Sequence, residues 1–185
     1  MVFGRKAGKA KAPLNETGLY DYAVKALGRQ MRTEAELQRL MIARAEPGAN
    51  GAAAIVAAIA RLKEHGYLDD QSFAETYARL RQENEKLGAR RVRQDLKQKG
   101  VRSDLIEETL HARYGQSSEE ALAREHLERK RIQKPTNEKE TARVMRRLVA
   151  AGFSTAVIYK ILRQWNVTDE SLAALDSLRD EIDER

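Results

Sequence analysis

The sequence predicts an all-α protein: three tandem three-helix repeats in an elongated, curved array, plus an extra C-terminal helix. Three observations carry that expectation. Apolar residues recur at intervals of three and four rather than two, in a chain dominated by Ala, Leu, Glu, Lys, Arg and Gln. Pro13, Pro47 and Pro135 fall where this period breaks, so their missing amide protons harm no helix. A frame of Leu, three residues, Gly and an apolar residue occurs at Leu62, Gly66 and Tyr67, at Leu96, Gly100 and Val101, and at Leu148, Gly152 and Phe153.

Taken along the chain, residues 1–18 carry Arg5, Lys6, Lys9 and Lys11 against Glu16 with no apolar period, and read as a flexible basic arm. The first three-helix repeat spans 19–67, and within it Thr33 with Glu36 forms a capping-box pattern. The second repeat spans 68–115 and opens at Asp69 or Asp70 ahead of an apolar stripe of Phe73, Tyr77 and Leu80, with Ser103 as a further cap. The third spans 116–166, with Ser117 and Glu120, Asn137 and Glu140, and Ser154 marking helix starts. Residues 167–185 form an acidic C-terminal helix, capped at Thr168, with Leu172, Leu175, Leu178 and Ile182 on one face.

In each Gly frame the glycine takes the left-handed position that ends a helix. The Leu before it and the apolar residue after it then make the hydrophobic contact of a Schellman cap, which predicts a sharp corner. Two frames extend into a duplication. Sliding residues 91–110 onto 143–162 pairs Arg91 with Arg143, Val92 with Val144, Leu96 with Leu148, Gly100 with Gly152, Ile106 with Ile158 and Leu110 with Leu162. A unit of about 50 residues is too small to bury its own core well, so stacking on neighbours supplies the rest.

With 34 Lys+Arg against 28 Asp+Glu and no cysteine, the chain excludes disulfides, thiolate zinc sites and cysteine nucleophiles, and suits a reducing, cytoplasmic address. No stretch reaches the roughly 18 apolar residues of a membrane span, and no signal-peptide pattern is present. The acidic tail carries −5 and the arm +3, which leaves +8 on the repeats. An acidic helix shielding a basic groove follows as one hypothesis from that split.

The densest positive stretch holds Lys86, Arg90, Arg91, Arg93, Lys97, Lys99 and Arg102 with only Asp95 among them. On a helix, Arg90, Arg93 and Lys97 fall within about 60° while Val92 and Leu96 form an apolar edge. Such a row suits phosphates or a carboxylate-rich protein surface. The alternative is a solvated face paired with Glu83, Glu85 and Glu107. Further patches are Arg124, Arg129, Lys130, Arg131 and Lys134, and then Arg143, Arg146 and Arg147.

Other groups read as structural. Asp69 and Asp70 are adjacent carboxylates at a helix start, which points to capping rather than acid-base chemistry. His65, His111 and His126 lack metal-ligand spacing, so no metal or cofactor is expected. The Gly48 and Gly51 segment lacks the Lys-Ser/Thr of a phosphate loop. Tyr159 and Trp165 share a face with Leu162 and read as core. No residue set supports catalysis.

At Gly66-Tyr67-Leu68-Asp69-Asp70, then Phe73-Ala74, and then the run from Gly88 through Arg90, Arg91, Arg93, Lys97 and Lys99 to Gly100 and Val101, the sequence resembles the RecX family of recombinase regulators. Residues 32–37 resemble the family's second-helix opening, and the likeness extends more weakly to Trp165. The resemblance implies a non-enzymatic modulator, usually an inhibitor, of RecA. Such a protein binds along the groove of the RecA filament on single-stranded DNA and suppresses ATP hydrolysis and strand exchange. It implies RecA and DNA, single-stranded or duplex, as partners, and a family fold of three tandem three-helix repeats. A stacked array with closed ends needs no partner chain, so a monomer is expected. Within the family motif Gly66, Tyr67, Leu68, Asp69, Asp70, Phe73 and Gly100 are read as structural. The rival reading is an autonomous DNA-binding protein whose glycine-cornered helix pairs act as helix-turn-helix units.

Overall fold

The computed structural model describes residues 12–167. Among them are nine helices: α1 (Glu16–Leu27), α2 (Glu34–Ile42), α3 (Ala49–Glu64), α4 (Asp70–Glu85), α5 (Ala89–Gln98), α6 (Ser103–Tyr114), α7 (Glu119–Arg129), α8 (Glu138–Ala150) and α9 (Thr155–Gln164). No strand occurs among the described residues; a single bridge joins Leu14 and Ala45. The all-α fold is as the periodicity predicts. The C-terminal acidic helix, with Thr168 as its cap, lies outside the described residues, as do residues 1–11.

Helix starts follow the capping chemistry of the sequence, with local shifts. The Thr33 hydroxyl accepts from the Glu36 N–H while the Glu36 carboxylate accepts from the Thr33 N–H, a complete capping box. Asn137 and Ser154 cap α8 and α9. At α7 the cap is Ser118 rather than Ser117, its hydroxyl accepting from the Ala121 N–H. At α6 it is Arg102, with no side-chain bond, so Ser103 stands inside the helix. α1 starts at Glu16, inside the segment read as arm, with Asn15 capping it.

The helix corners form as predicted and recur where no glycine marks them. Gly66 (φ 70°), Gly100 (φ 83°) and Gly152 (φ 90°) are left-handed. At two of them both Schellman bonds are present. Tyr67 N–H donates to Leu62 O and Gly66 N–H to Lys63 O, and Phe153 N–H donates to Leu148 O and Gly152 N–H to Val149 O. The same bond pair forms around Arg131 (φ 51°) and Asn166 (φ 57°), from Ile132 to Leu127 and from Val167 to Leu162.

The chain divides into two compact units. Among the described residues, the first comprises 12–73 and Lys99–Val101. Its core is Leu19, Ala23, Leu37, Met41, Ile55, Ala58, Ile59, Leu62 and Leu68, drawn from α1 to α3 and the corner that follows. The second comprises Ala74–Gln98 and residues 102–167. Its main cluster joins Leu122 and Leu127 of α7, Val144 and Leu148 of α8, Phe153, and Ile158, Ile161 and Leu162 of α9, with Tyr159 and Trp165 packed against it. On α4 the apolar stripe departs from expectation, since Leu80 is 41% exposed while Ala74, Ala78 and Gln82 are buried. Alanines four apart let a neighbour approach that side closely, and the larger Leu80 is left to solvent.

One long-range contact recurs in both units. In the first, the Thr33 hydroxyl at the start of α2 donates to the carbonyl of Lys99 at 2.6 Å, one residue past the end of α5. In the second, the Gly88 N–H at the start of α5 donates to the carbonyl of Ala151 at 2.9 Å, one residue past the end of α8. A Cβ on Gly100 would stand 2.4 Å from the Ala35 Cβ, and one on Gly152 would stand 2.3 Å from the Arg91 backbone N. The corner glycine is therefore required twice over, for its backbone angle and for the approach of the neighbouring helix start.

Candidate interaction surface

α5 is a helix because Val92 and Leu96, both 0% exposed, anchor one side of it, and its remaining positions are polar. Most cations of this stretch are already engaged. The Arg93 guanidinium donates twice to Glu107, from Nε and Nη2 at 2.8 Å each. That bond raises the Arg93 pKa and holds the Glu107 carboxyl below the usual carboxylate range. Arg91 pairs with Asp95 at 3.0 Å, and Asp95 also accepts from the Tyr77 hydroxyl at 3.1 Å. Lys86, itself left-handed at φ 55°, pairs with Glu125 at 2.7 Å, and Arg102 pairs with Asp104 at 2.6 Å. Arg90 and Lys97 are exposed and form no ion pair among the described residues. Of the acids expected to neutralise this stretch, only Glu107 does so. Glu83 pairs with Arg79 and Arg113, and Glu85 with Arg81.

Lys99 belongs to the interior bonding of the first unit. Its Nζ pairs with Glu36 at 2.9 Å and lies 5.6 Å from the centre of the Phe73 ring. Around it the family motif closes a knot. Gly66 turns the chain, Leu68 and Phe73 are buried, and Asp69 Oδ1 accepts from the N–H groups of Gln71 and Ser72 at the start of α4. Asp70 reaches to α2, where its carboxylate accepts from the Glu34 N–H at 2.9 Å; burial pushes its pKa up. The adjacent carboxylates thus cap two different helices. Tyr67 is 54% exposed.

The second patch divides as well. Glu120 holds Arg124 at 2.9 Å and Lys160 at 2.6 Å, and these two cations pull its carboxyl down to about 2. Arg129 ends α7, Lys130 follows it, and Arg131 occupies the left-handed corner position. All three are exposed and form no ion pair among the described residues.

α8 carries the third patch. Thr141, Val144, Met145 and Leu148 are buried, and Lys139, Arg143, Arg146 and Arg147 are all exposed, with no ion pair among the described residues. At 100° per residue these four cations share a sector of about 100° on the side away from the core. Glu140 on the same helix accepts from the Thr136 N–H and hydroxyl, both at 2.8 Å, and those bonds, with a smaller attraction to Arg143, hold its carboxyl below the usual carboxylate range. Sequence reasoning did not include Lys139, although its spacing of four from Arg143 was the signal for it.

Among the described residues no group of three or more His, Asp or Glu side chains could hold a metal ion. The cations without an ion pair leave donors available to anionic groups. A family model described as "RecX, second three-helix domain" matches residues 69–110, which cover α4, α5 and most of α6. The "Regulatory protein RecX" of Leptothrix cholodnii is 32% identical over 141 residues, 76% of this chain and 85% of that protein. Its namesake in Shigella dysenteriae is 34% identical over 155 residues, 80% of this chain and 91% of that protein. The crystal structure of RecX from Lactobacillus salivarius shares the fold, with a TM-score of 0.61 at 20% identity over 83% of this chain and 97% of that one.

Proposed function

The chain belongs to the RecX family of regulatory proteins, and we propose that it binds the filament RecA forms on DNA and restrains RecA's ATP hydrolysis and strand exchange. It does so as a monomer in the cytoplasm and carries out no reaction of its own. The observation that carries this reading is the set of exposed cations with no ion pair among the described residues: Arg90 and Lys97, Arg129, Lys130 and Arg131, and Arg143, Arg146 and Arg147. Unpaired guanidinium and ammonium groups on helix surfaces are available to phosphates and carboxylates, which a nucleoprotein polymer presents in regular array. The engaged cations Lys86, Arg91, Arg93, Lys99 and Arg102 contribute mainly by fixing the helices that present the others.

The test is RecA's DNA-dependent ATPase titrated with this protein. Wild type is expected to lower the rate at stoichiometric ratios, and a variant with Arg90, Lys97, Arg143 and Arg147 changed to Glu is expected to lose most of that effect. A wild-type protein without effect on the ATPase overturns the reading.

A further inference from the structure

The unpaired cations are not spread evenly over the repeats. α5 and α8 are aligned by the 52-residue offset in the sequence, yet their solvent sides differ. Opposite its buried Val92 and Leu96, α5 presents Arg90, Gln94, Lys97 and Gln98, while its Arg91 is tied to Asp95. Opposite its buried residues, α8 presents Lys139, Arg143, Arg146 and Arg147. The position matching Gln94 has become Arg146, and the one matching Asp95 has become Arg147. Arg143 and Arg147, four apart, repel one another on the helix surface, and of the four cations only Arg143 gains an attraction on the helix, to Glu140, so most of the arrangement does not serve the helix itself.

We propose that α8 is a direct nucleic-acid contact that grips the phosphate backbone of a strand without a recombinase. The assignment deepens the reading above and rests on it only for the general use of the cations. Its geometry suits a backbone. At 1.5 Å rise per residue, Lys139, Arg143 and Arg147 extend over about 12 Å, and a strand rising 3.4 Å per nucleotide offers about three or four phosphates over that length. The cationic sector includes no aromatic side chain, so bases have no stacking platform and binding is independent of sequence. A protein surface is the poorer partner, because the buried centre of a protein interface is rich in aromatic residues and depleted in charge.

The experiment measures binding of a fluorescein-labelled oligothymidylate by fluorescence anisotropy across a salt series, with no RecA present. Changing Arg143, Arg146 and Arg147 to Gln is expected to weaken binding at least tenfold at low salt and to make the log-log salt slope shallower by about 2. The Lys triple variant is expected to keep the slope, which separates charge from any effect on folding, and circular dichroism checks that the Gln variant is helical. Changing Arg90 and Lys97 to Gln is expected to alter affinity by less than about threefold. Absence of wild-type binding, an unchanged slope in the α8 variant, or an equal loss in the α5 variant overturns the proposal. The RecA ATPase assay is scored separately. A wild type that binds the oligonucleotide through α8 but leaves the ATPase untouched sinks the filament reading alone, and the reverse pattern sinks only this one.

Discussion

α5 and α8 are the helices that the 52-residue offset aligns, and they match on one side and differ on the other. Val92 matches Val144 and Leu96 matches Leu148, all buried, and both helices end at a left-handed glycine. Beside that buried edge, the Arg91–Asp95 ion pair of α5, with Asp95 only 11% exposed, is matched in α8 by the exposed Arg143 and Arg147. An opposite-charge pair at this spacing stabilises a helix by about 0.2–0.5 kcal/mol and a like-charge pair costs a similar amount. The exchange is therefore small for stability and large for what the surface can bind. The buried side is constrained because each corner docks on another helix start, and the exposed side answers only to solvent and partners.

The steepest way to break the comparison is through the corners. Gly152→Ala forces a left-handed φ of 90° on a residue with a Cβ and drives that Cβ to 2.3 Å from the Arg91 backbone, so a loss of about 3 kcal/mol is expected from urea unfolding. Gly66→Ala meets the same backbone demand at φ 70° but nothing within 4 Å, and about 1 kcal/mol is expected. Equal losses would show that the corner at Gly152 is not tightly docked. Thr33→Ala removes both the capping box and the bond to the Lys99 carbonyl, with an expected cost of about 2 kcal/mol.

A pH series probes the second unit. The His126 imidazole is buried against Phe153 beside the Glu85 carbonyl, and burial, with Lys130 and Arg129 nearby, holds its pKa below the ordinary value. The unfolded chain therefore binds a proton that the folded chain resists, and stability is expected to fall as pH drops below about 6.5. His126→Gln should flatten that slope; an unaltered slope assigns it to other groups. The gentlest change sharpens the comparison directly. Asp95→Asn releases Arg91 while keeping a partner for the Tyr77 hydroxyl; because the Asp95 side chain is only 11% exposed, stability should drop by about 1 kcal/mol. The salt slope of oligonucleotide binding should steepen by up to about 1 if α5 can be turned toward the role of α8.

What the sequence made legible was local. Thr33 with Glu36, Asn137 with Glu140, and the Leu–Gly frames each specify their hydrogen bonds within six residues; both capping pairs formed, as did the bond pairs at Gly66 and Gly152, while Gly100 adopts the left-handed angle without them. The misplacements were local too. Ser117 and Ser118 are chemically equal candidates for a cap, and alanine carries too little hydrophobic signal to reveal that Ala74 and Ala78, not Leu80, face inward on α4. The corners at Arg131 and Asn166 obey the same frame, with Leu127 before Ile132 and Leu162 before Val167, and the absence of glycine concealed them. The basic surface was legible as composition but not as availability. Lys99 reads as one more cation of a run until Glu36, 63 residues away in sequence, is found beside it. The contacts from Thr33 to Lys99 and from Gly88 to Ala151 have no short-range signature at all.

Those two contacts give meaning to a third bond. The Leu14 N–H donates to the carbonyl of Arg44 at 2.8 Å, two residues past the end of α2. At α5 and α8 the end of the helix takes its donor from an earlier helix start, Thr33 and Gly88 respectively. At α2 a short strap supplies it instead. Any other donor that docked on the Arg44 carbonyl would first have to displace Leu14.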